Sequence, residues 1–106
     1  MTLDKFALIY DNALRKISAR YDIRPPNHHE LGILVLLKRR TSLRFGVIQS
    51  LVGKYGKSAD PSYVAQSLRY LCEFGLCTKE VSTYTISSLG REYLSSLRNY
   101  LRNYRL

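Results

Sequence analysis

Only two cysteines occur in this 106-residue chain, alongside three prolines, one methionine and no tryptophan. Two thiols are too few for the disulfide framework of a small secreted scaffold, and they supply half of a tetrahedral metal site. His28 and His29 are the nearest candidate ligands, but neighbours on a helix point about 100° apart and do not chelate one ion. No metal and no cofactor are expected. Cys72 and Cys77 read as a reduced, structural pair; the alternative is a redox-sensing thiol, with Lys79 the only nearby cation in sequence. Long hydrophobic runs are also missing. The stretch "LGILVLLK" is too short to span a bilayer, and "MTLDKFAL" lacks the basic-then-apolar pattern of a secretory signal. A soluble, cytoplasmic protein is the expectation. Acids are scarce and scattered, with eight Asp and Glu in all. With no paired carboxylates, no Ser-His-Asp order with elbow glycines and no glycine-rich phosphate loop, an enzyme is not expected.

What is present is positive charge: 17 Lys and Arg, for a net charge of +9. Its placement is uneven. Residues 31–59 hold six cations (Lys38, Arg39, Arg40, Arg44, Lys54 and Lys57) and no acid. Residues 81–106 form a weaker block at +3, from Arg91, Arg98, Arg102 and Arg105 against Glu92. Such asymmetry favours polyanions, usually nucleic acid, over an inert basic surface. Hydrophobic residues make up 45 %, enough for a packed core, and the length suits one domain.

Periodicity orders the chain. Apolar residues at Leu3, Phe6, Ala7, Tyr10, Ala13, Leu14 and Ile17 predict an amphipathic helix over 3–20 that ends before "DIRPPN". Asn27 and Glu30 form a capping-box pattern for a second helix, about 28–40, apolar on most sides and so central. "TSLR" leans towards a short edge strand. Phe45, Val47, Ile48, Leu51 and Val52 share a broad face on a third helix, 45–55. Asp60 as N-cap and Pro61 at the first position open a fourth helix, 61–74, that stops at Gly75. Two short strands follow around Ser82-Thr83, and Ser87 caps a last helix over 88–106. The fold class is mostly α with a small β-hairpin.

The stretch "VAQSLRYLCEFGL", with the hairpin and "TISSLGREYL" after it, resembles the winged helix–turn–helix family, and within it the MarR-like regulators. The carrying residues are Leu68, Leu71, Gly75 and Leu76 at the end of a recognition helix, then Ser87 and Gly90 opening a terminal helix. The resemblance covers about residues 29–94. It implies a single winged-helix domain: an N-terminal helix (1–21), a winged core (28–86) and a C-terminal helix (87–106), the two terminal helices serving dimerisation. It also implies a transcriptional regulator whose helix 61–74 enters the DNA major groove. The wing departs from the family: its expected tip, Ser82-Thr83, carries no arginine.

On a helical wheel Val64, Leu68 and Leu71 form the buried stripe of that fourth helix. Ser62, Tyr63, Gln66, Arg69 and Tyr70 fall on the other side and are the candidate DNA contacts. Arg44, Lys54, Lys57 and Lys79 are the candidate phosphate contacts. Leu3, Phe6, Tyr10, Leu94, Leu97, Tyr100, Leu101 and Tyr104 form the terminal stripes expected to build a homodimer. Two-fold symmetry spaces paired recognition helices about 34–36 Å apart, so the expected partner is (pseudo)palindromic double-stranded DNA. A small-molecule effector is a further implication of the resemblance, with Tyr10, Tyr21 and Tyr93 as pocket candidates; core packing accounts for the same three. The alternative function is a winged-helix protein–protein interaction module, or an accessory factor of a replication or mobile-element complex.

Overall fold

The computed structural model describes residues 3–103 and, of Leu3, only the backbone. The side chain of Leu3 and all of Tyr104, both expected at the dimer stripe, lie outside the described residues. The order is α1 (Leu3–Arg20), α2 (His28–Arg40), β1 (Ser42–Arg44), α3 (Phe45–Lys54), α4 (Pro61–Glu73), β2 (Cys77–Glu80), β3 (Thr83–Ile86) and α5 (Ser88–Arg102). Residues 26–91 form one compact unit; α1 and α5 from Glu92 onward belong to another.

In the central unit, α2 begins as its capping box requires. The Asn27 side chain accepts from the Glu30 amide at 2.8 Å, and Glu30 accepts from the Asn27 amide at 2.8 Å. Its neighbours are α3, α4, β1 and β3, and Leu31, Ile33, Leu34 and Leu37 are buried. An all-round apolar helix is thereby satisfied. The breadth is not complete, since Val35 stays 38 % exposed. In α3 only Ile48 and Val52 are buried, and Val47 is 46 % exposed. Its core face is therefore narrower than the five-residue face read from the sequence, because Val47 points about 100° away from Ile48.

The sheet has the order β1-β3-β2, antiparallel throughout. Tyr84 and Ile86 of β3 point inward, and Thr83 and Thr85 alternate with them. That alternation pairs Thr83 with Glu80 on one side and Arg44 on the other. The hairpin tip is thus Val81-Ser82, one residue earlier than expected, and Thr83 belongs to the strand. Val81 takes a positive φ of 57° and is 97 % exposed.

The end of α4 is closed by a Schellman motif. Gly75, at φ 74°, donates to the Cys72 carbonyl, and Leu76 donates to the Leu71 carbonyl at 2.8 Å. Ser87 then joins this turn to α5. Its hydroxyl donates to the Gly75 carbonyl at 2.5 Å and accepts from the Gly90 amide at 2.9 Å. Gly90 has no room for a side chain: a Cβ there would lie 2.1 Å from the Leu76 carbonyl oxygen and 2.9 Å from Ile86 Cγ1. These contacts explain the Ser-x-x-Gly spacing in physical terms.

The second unit pairs α1 with the later part of α5 through hydroxyls. Ser18 Oγ lies 2.8 Å from Tyr93 Oη, both fully buried, and Tyr21 Oη lies 2.9 Å from Ser96 Oγ. Tyr21 and Tyr93 also meet edge to face at 5.7 Å. The three candidate pocket tyrosines are therefore accounted for in part by helix pairing. Leu94 and Leu97, expected at a dimer face, are buried within the single chain. The stripe on α5 is wide enough to serve the protomer's own interior first. Burial holds the Tyr10 and Tyr93 hydroxyls above the ordinary tyrosine pKa; at Tyr93 the bond from Ser18 works against that shift and Tyr10 adds to it.

Three outcomes are expected. Gly90→Ala should cost about 3 kcal/mol in urea unfolding, because the obstructing atom is backbone. Ser18→Ala should cost about 1–3 kcal/mol in the same assay, by leaving the Tyr93 hydroxyl buried without its partner. A raised tyrosine pKa favours the protonated folded state, so this stability is complete below about pH 10 and is lost as pH climbs beyond it. Tyr93→Phe should make the alkaline loss of stability shallower in a pH series of urea midpoints.

Candidate nucleic-acid interface

Everything that exposes one side of α4 starts at Asp60. Its carboxylate accepts from the Ser62 amide at 2.8 Å and the Tyr63 amide at 3.4 Å, and Pro61 stands in the first turn, where no amide donor is needed. Val64, Ser67, Leu68, Tyr70 and Leu71 are buried. Ser62, Tyr63, Gln66 and Arg69 are exposed. These four remain together on one side of the helix.

Tyr70 does not join them. It is 6 % exposed and packs on Phe74 at 4.7 Å between ring centroids. The expectation that it faces outward is corrected by the width of the buried arc, which reaches beyond the aliphatic stripe to Ser67 and Tyr70. The reason on the Ser67 side is His29, on α2. Its Nδ1 lies 2.6 Å from Ser67 Oγ, its Nε2 lies 2.9 Å from the Ser58 carbonyl oxygen, and its ring stacks on Tyr63 at 4.2 Å. A carbonyl only accepts, so Nε2 carries a hydrogen; Nδ1 shares the other hydrogen bond with the Ser67 hydroxyl. His29 thus fixes the helix and the turn before it together. Sequence reasoning considered it only as a weak metal ligand. Its partners lie 29 and 38 residues away, and no local pattern reports them.

The turn over 55–60 is ordered by several further bonds. Gly56 takes φ 78°, the Lys57 amide donates to the Val52 carbonyl, and Gln49 Nε2 donates to the Ala59 carbonyl at 2.8 Å. Lys54, the last residue of α3 before this turn, is exposed, whereas the stem of Lys57 lies across Gly32. A Cβ at Gly32 would come within 2.8 Å of Lys57 Cε. That glycine leaves a track for the lysine stem, a packing use of a cation expected only to meet phosphate.

Arg44 and Lys79 are exposed on opposite edge strands; Arg44 pairs with Thr83 and Lys79 with Tyr84, so their side chains leave opposite faces of the sheet. Lys79 Nζ sits 5.5 Å from the centroid of the Tyr84 ring. Between α4 and the sheet runs an open cleft of about 380 Å³, lined by Arg69, Cys72, Glu73, Lys79 and Tyr84 among others. Arg69 and Lys79, far apart in sequence, therefore share one concave surface. The wing tip offers Val81 and Ser82, with Glu80 beside them, and no cation. Among the described residues no group of three His, Cys, Asp or Glu could hold a metal ion.

The element order, the β1-β3-β2 sheet and the capped α4 define a MarR-like winged helix–turn–helix fold. No family model and no curated protein matches the sequence. Solved structures do match in fold. Sco5413, a MarR family transcriptional regulator from Streptomyces coelicolor, aligns with a TM-score of 0.60 at 20 % identity, over 96 % of this chain and 77 % of its own. RV1404 from Mycobacterium tuberculosis aligns with a TM-score of 0.68 at 15 % identity, over 95 % of this chain and 69 % of its own. At such identities the likeness is one of architecture.

His29→Phe keeps a ring against Tyr63 but removes both polar contacts. It should lower unfolding free energy by about 1–3 kcal/mol. Faster amide exchange in residues 56–60, seen by hydrogen-exchange mass spectrometry, should accompany that loss; unchanged exchange there would show that the turn does not depend on His29.

Proposed function

We propose that the protein is a transcriptional regulator that binds double-stranded DNA in a sequence-specific way as a homodimer. The observation that carries this reading is the outer side of α4, where Ser62, Tyr63, Gln66 and Arg69 are exposed together on a helix held at both ends. Gln pairs with adenine and Arg with guanine at major-groove edges. Arg44, Lys54 and Lys79 are exposed in the same unit as this helix, Lys79 in the cleft beside it, and serve the phosphates; Lys57 contributes its charge from a stem packed on Gly32. The fold shared with Sco5413 supports the same assignment. No enzymatic step enters it. No helix among the described residues is long and apolar enough to cross a membrane.

Homodimerisation draws its support from α1, where Phe6 is 42 % and Leu8 60 % exposed. Phe6, Tyr10, Tyr100 and Leu101 remain as the dimer contacts, with Leu94 and Leu97 beneath them in the protomer's interior. A (pseudo)palindromic site follows from two-fold symmetry. A small-molecule effector is compatible with this arrangement and rests on the family likeness alone. One feature favours protein contact as a second reading: the wing tip is apolar and acid-flanked, with Val81 exposed beside Glu80.

Selection of duplexes from a random pool, with light scattering on the same sample, tests DNA binding, symmetry and mass together. Bound sequences with two-fold symmetry and a dimer mass are expected. Binding should weaken with salt at a log–log slope of about −0.9 per phosphate contacted. Gln66→Ala and Arg69→Ala should relax base preference by about 1–3 kcal/mol at one position each. Lys54→Ala should weaken all duplexes alike. Absence of binding at about 50 mM salt would favour the protein-contact reading instead.

A further inference from the structure

Cys72 and Cys77 are used by none of this. Cys72 is in the last turn of α4, and Cys77 is the first residue of β2. The Schellman turn through Gly75 folds the chain back between them. Their sulfurs lie 3.3 Å apart, and both are free thiols. A disulfide bond is about 2.05 Å long, so the sulfurs need approach by only about 1.2 Å. The two thiols differ in access. Cys72 is half-buried and lines the cleft between α4 and the sheet, together with Arg69, Glu73, Lys79 and Tyr84. Cys77 is 1 % exposed.

We propose that Cys72 and Cys77 form an oxidisable dithiol, which a hydroperoxide entering the α4–sheet cleft converts into an intramolecular disulfide tying the last turn of α4 to β2. Cys72 reacts first, since it faces the cleft. Its thiolate attacks one peroxide oxygen, and the O–O bond breaks with its electron pair on the departing alkoxide. Arg69 and Lys79 supply positive charge to that leaving group; Glu73, in the same cleft, opposes them in part. The alkoxide takes the proton that Cys72 gave up and leaves as an alcohol, and Cys72 is now a sulfenic acid. Cys77 Sγ then attacks Cys72 Sγ. The S–S bond forms, the S–O bond breaks, and the hydroxide leaves as water with the Cys77 proton. Two thiols are oxidised by two electrons in total and one hydroperoxide is reduced. Burial, with the hydrogen bond to Cys72 adding to it, pushes the Cys77 thiol well above the ordinary cysteine value. Cys77 thus stays protonated while Cys72 reacts with the peroxide; 3.3 Å from Cys72 Sγ, it acts second as the resolving group and gives up its proton to the departing hydroxide as it attacks.

The bond would tighten the junction between α4 and the strand that carries Lys79. Its effect on DNA rests on the function proposed above; its formation does not. The test treats the full chain with equimolar hydrogen peroxide, quenches in acid, alkylates in denaturant and reads intact mass. The expected product is lighter by about 2 Da before alkylation and takes up no alkylating agent until reduced. Cys77→Ser should instead stop at a sulfenic acid on Cys72 that dimedone traps, and Cys72→Ser should keep an unmodified Cys77. Two alkylatable thiols after treatment, or Cys72 cross-links between copies only, would overturn the proposal. Oxidised protein should bind duplex DNA on the order of tenfold more weakly than reduced protein, and reductant should restore it. Equal affinities would overturn the coupling to DNA. A reduced protein that binds no DNA at all would refute the DNA assignment, while the mass measurement still decides the dithiol.

Discussion

A single missing side chain, at Gly90, lets three elements meet. The carbonyl of Leu76 ends the turn after α4 and stands where a Gly90 Cβ would be. Ser87 spans the same junction, holding the Gly75 carbonyl on one side and the Gly90 amide on the other. The stop of α4, the entry to β2 and the start of α5 are therefore one structural event. Close approach of backbone to backbone is what glycine permits and every other residue forbids. The start of the wing and the first turn of α5 both follow from it.

The other end of α4 is held by different means. Asp60 satisfies the free amides of the first turn, and His29 joins α2 to both the preceding turn and Ser67. The helix is thus anchored at its start by polar contacts, along its middle by Val64, Leu68 and Leu71, and at its end by the glycine turn. Anchoring at three points leaves Ser62, Gln66 and Arg69 outside as the natural consequence. A helix held in this way would lose little freedom if its outer side docked on a partner. The cleft beside it brings Arg69 and Lys79 to the same surface as Cys72, which places charge and a free thiol on one concave surface.

Tyr10, Tyr93 and Tyr100 stand on the terminal helices with Tyr21 just past α1, and hydroxyl pairing explains the use of Tyr21 and Tyr93. Ser18 on α1 meets Tyr93, and Tyr21, just past the end of α1, meets Ser96, so two hydroxyl pairs three residues apart fix how this part of the chain lines up with α5. A buried polar pair has few alternative partners, so it specifies alignment more sharply than leucine packing does. The outward apolar residues on α1 are a separate feature: Leu8 lies off the stripe, and Phe6 lies on it and was not distinguishable from the rest by spacing alone.

Local chemistry made most of the architecture legible from the chain itself. The Asn27–Glu30 capping box, the Asp60-Pro61 start, the Gly75 stop and the helical spacing of leucines each act within a few residues, and each appears where it was read. The edge strand at 42–44 was legible for the same reason. What tertiary structure alone decided are relations across long separations: His29 against Ser67 and Ser58, Lys57 over Gly32, Cys72 in a cleft with Lys79. The burial of Tyr70, Leu94 and Leu97 belongs with them. Periodicity states which residues share a side of a helix; how wide a swath of that side is covered depends on neighbours brought in from elsewhere in the chain.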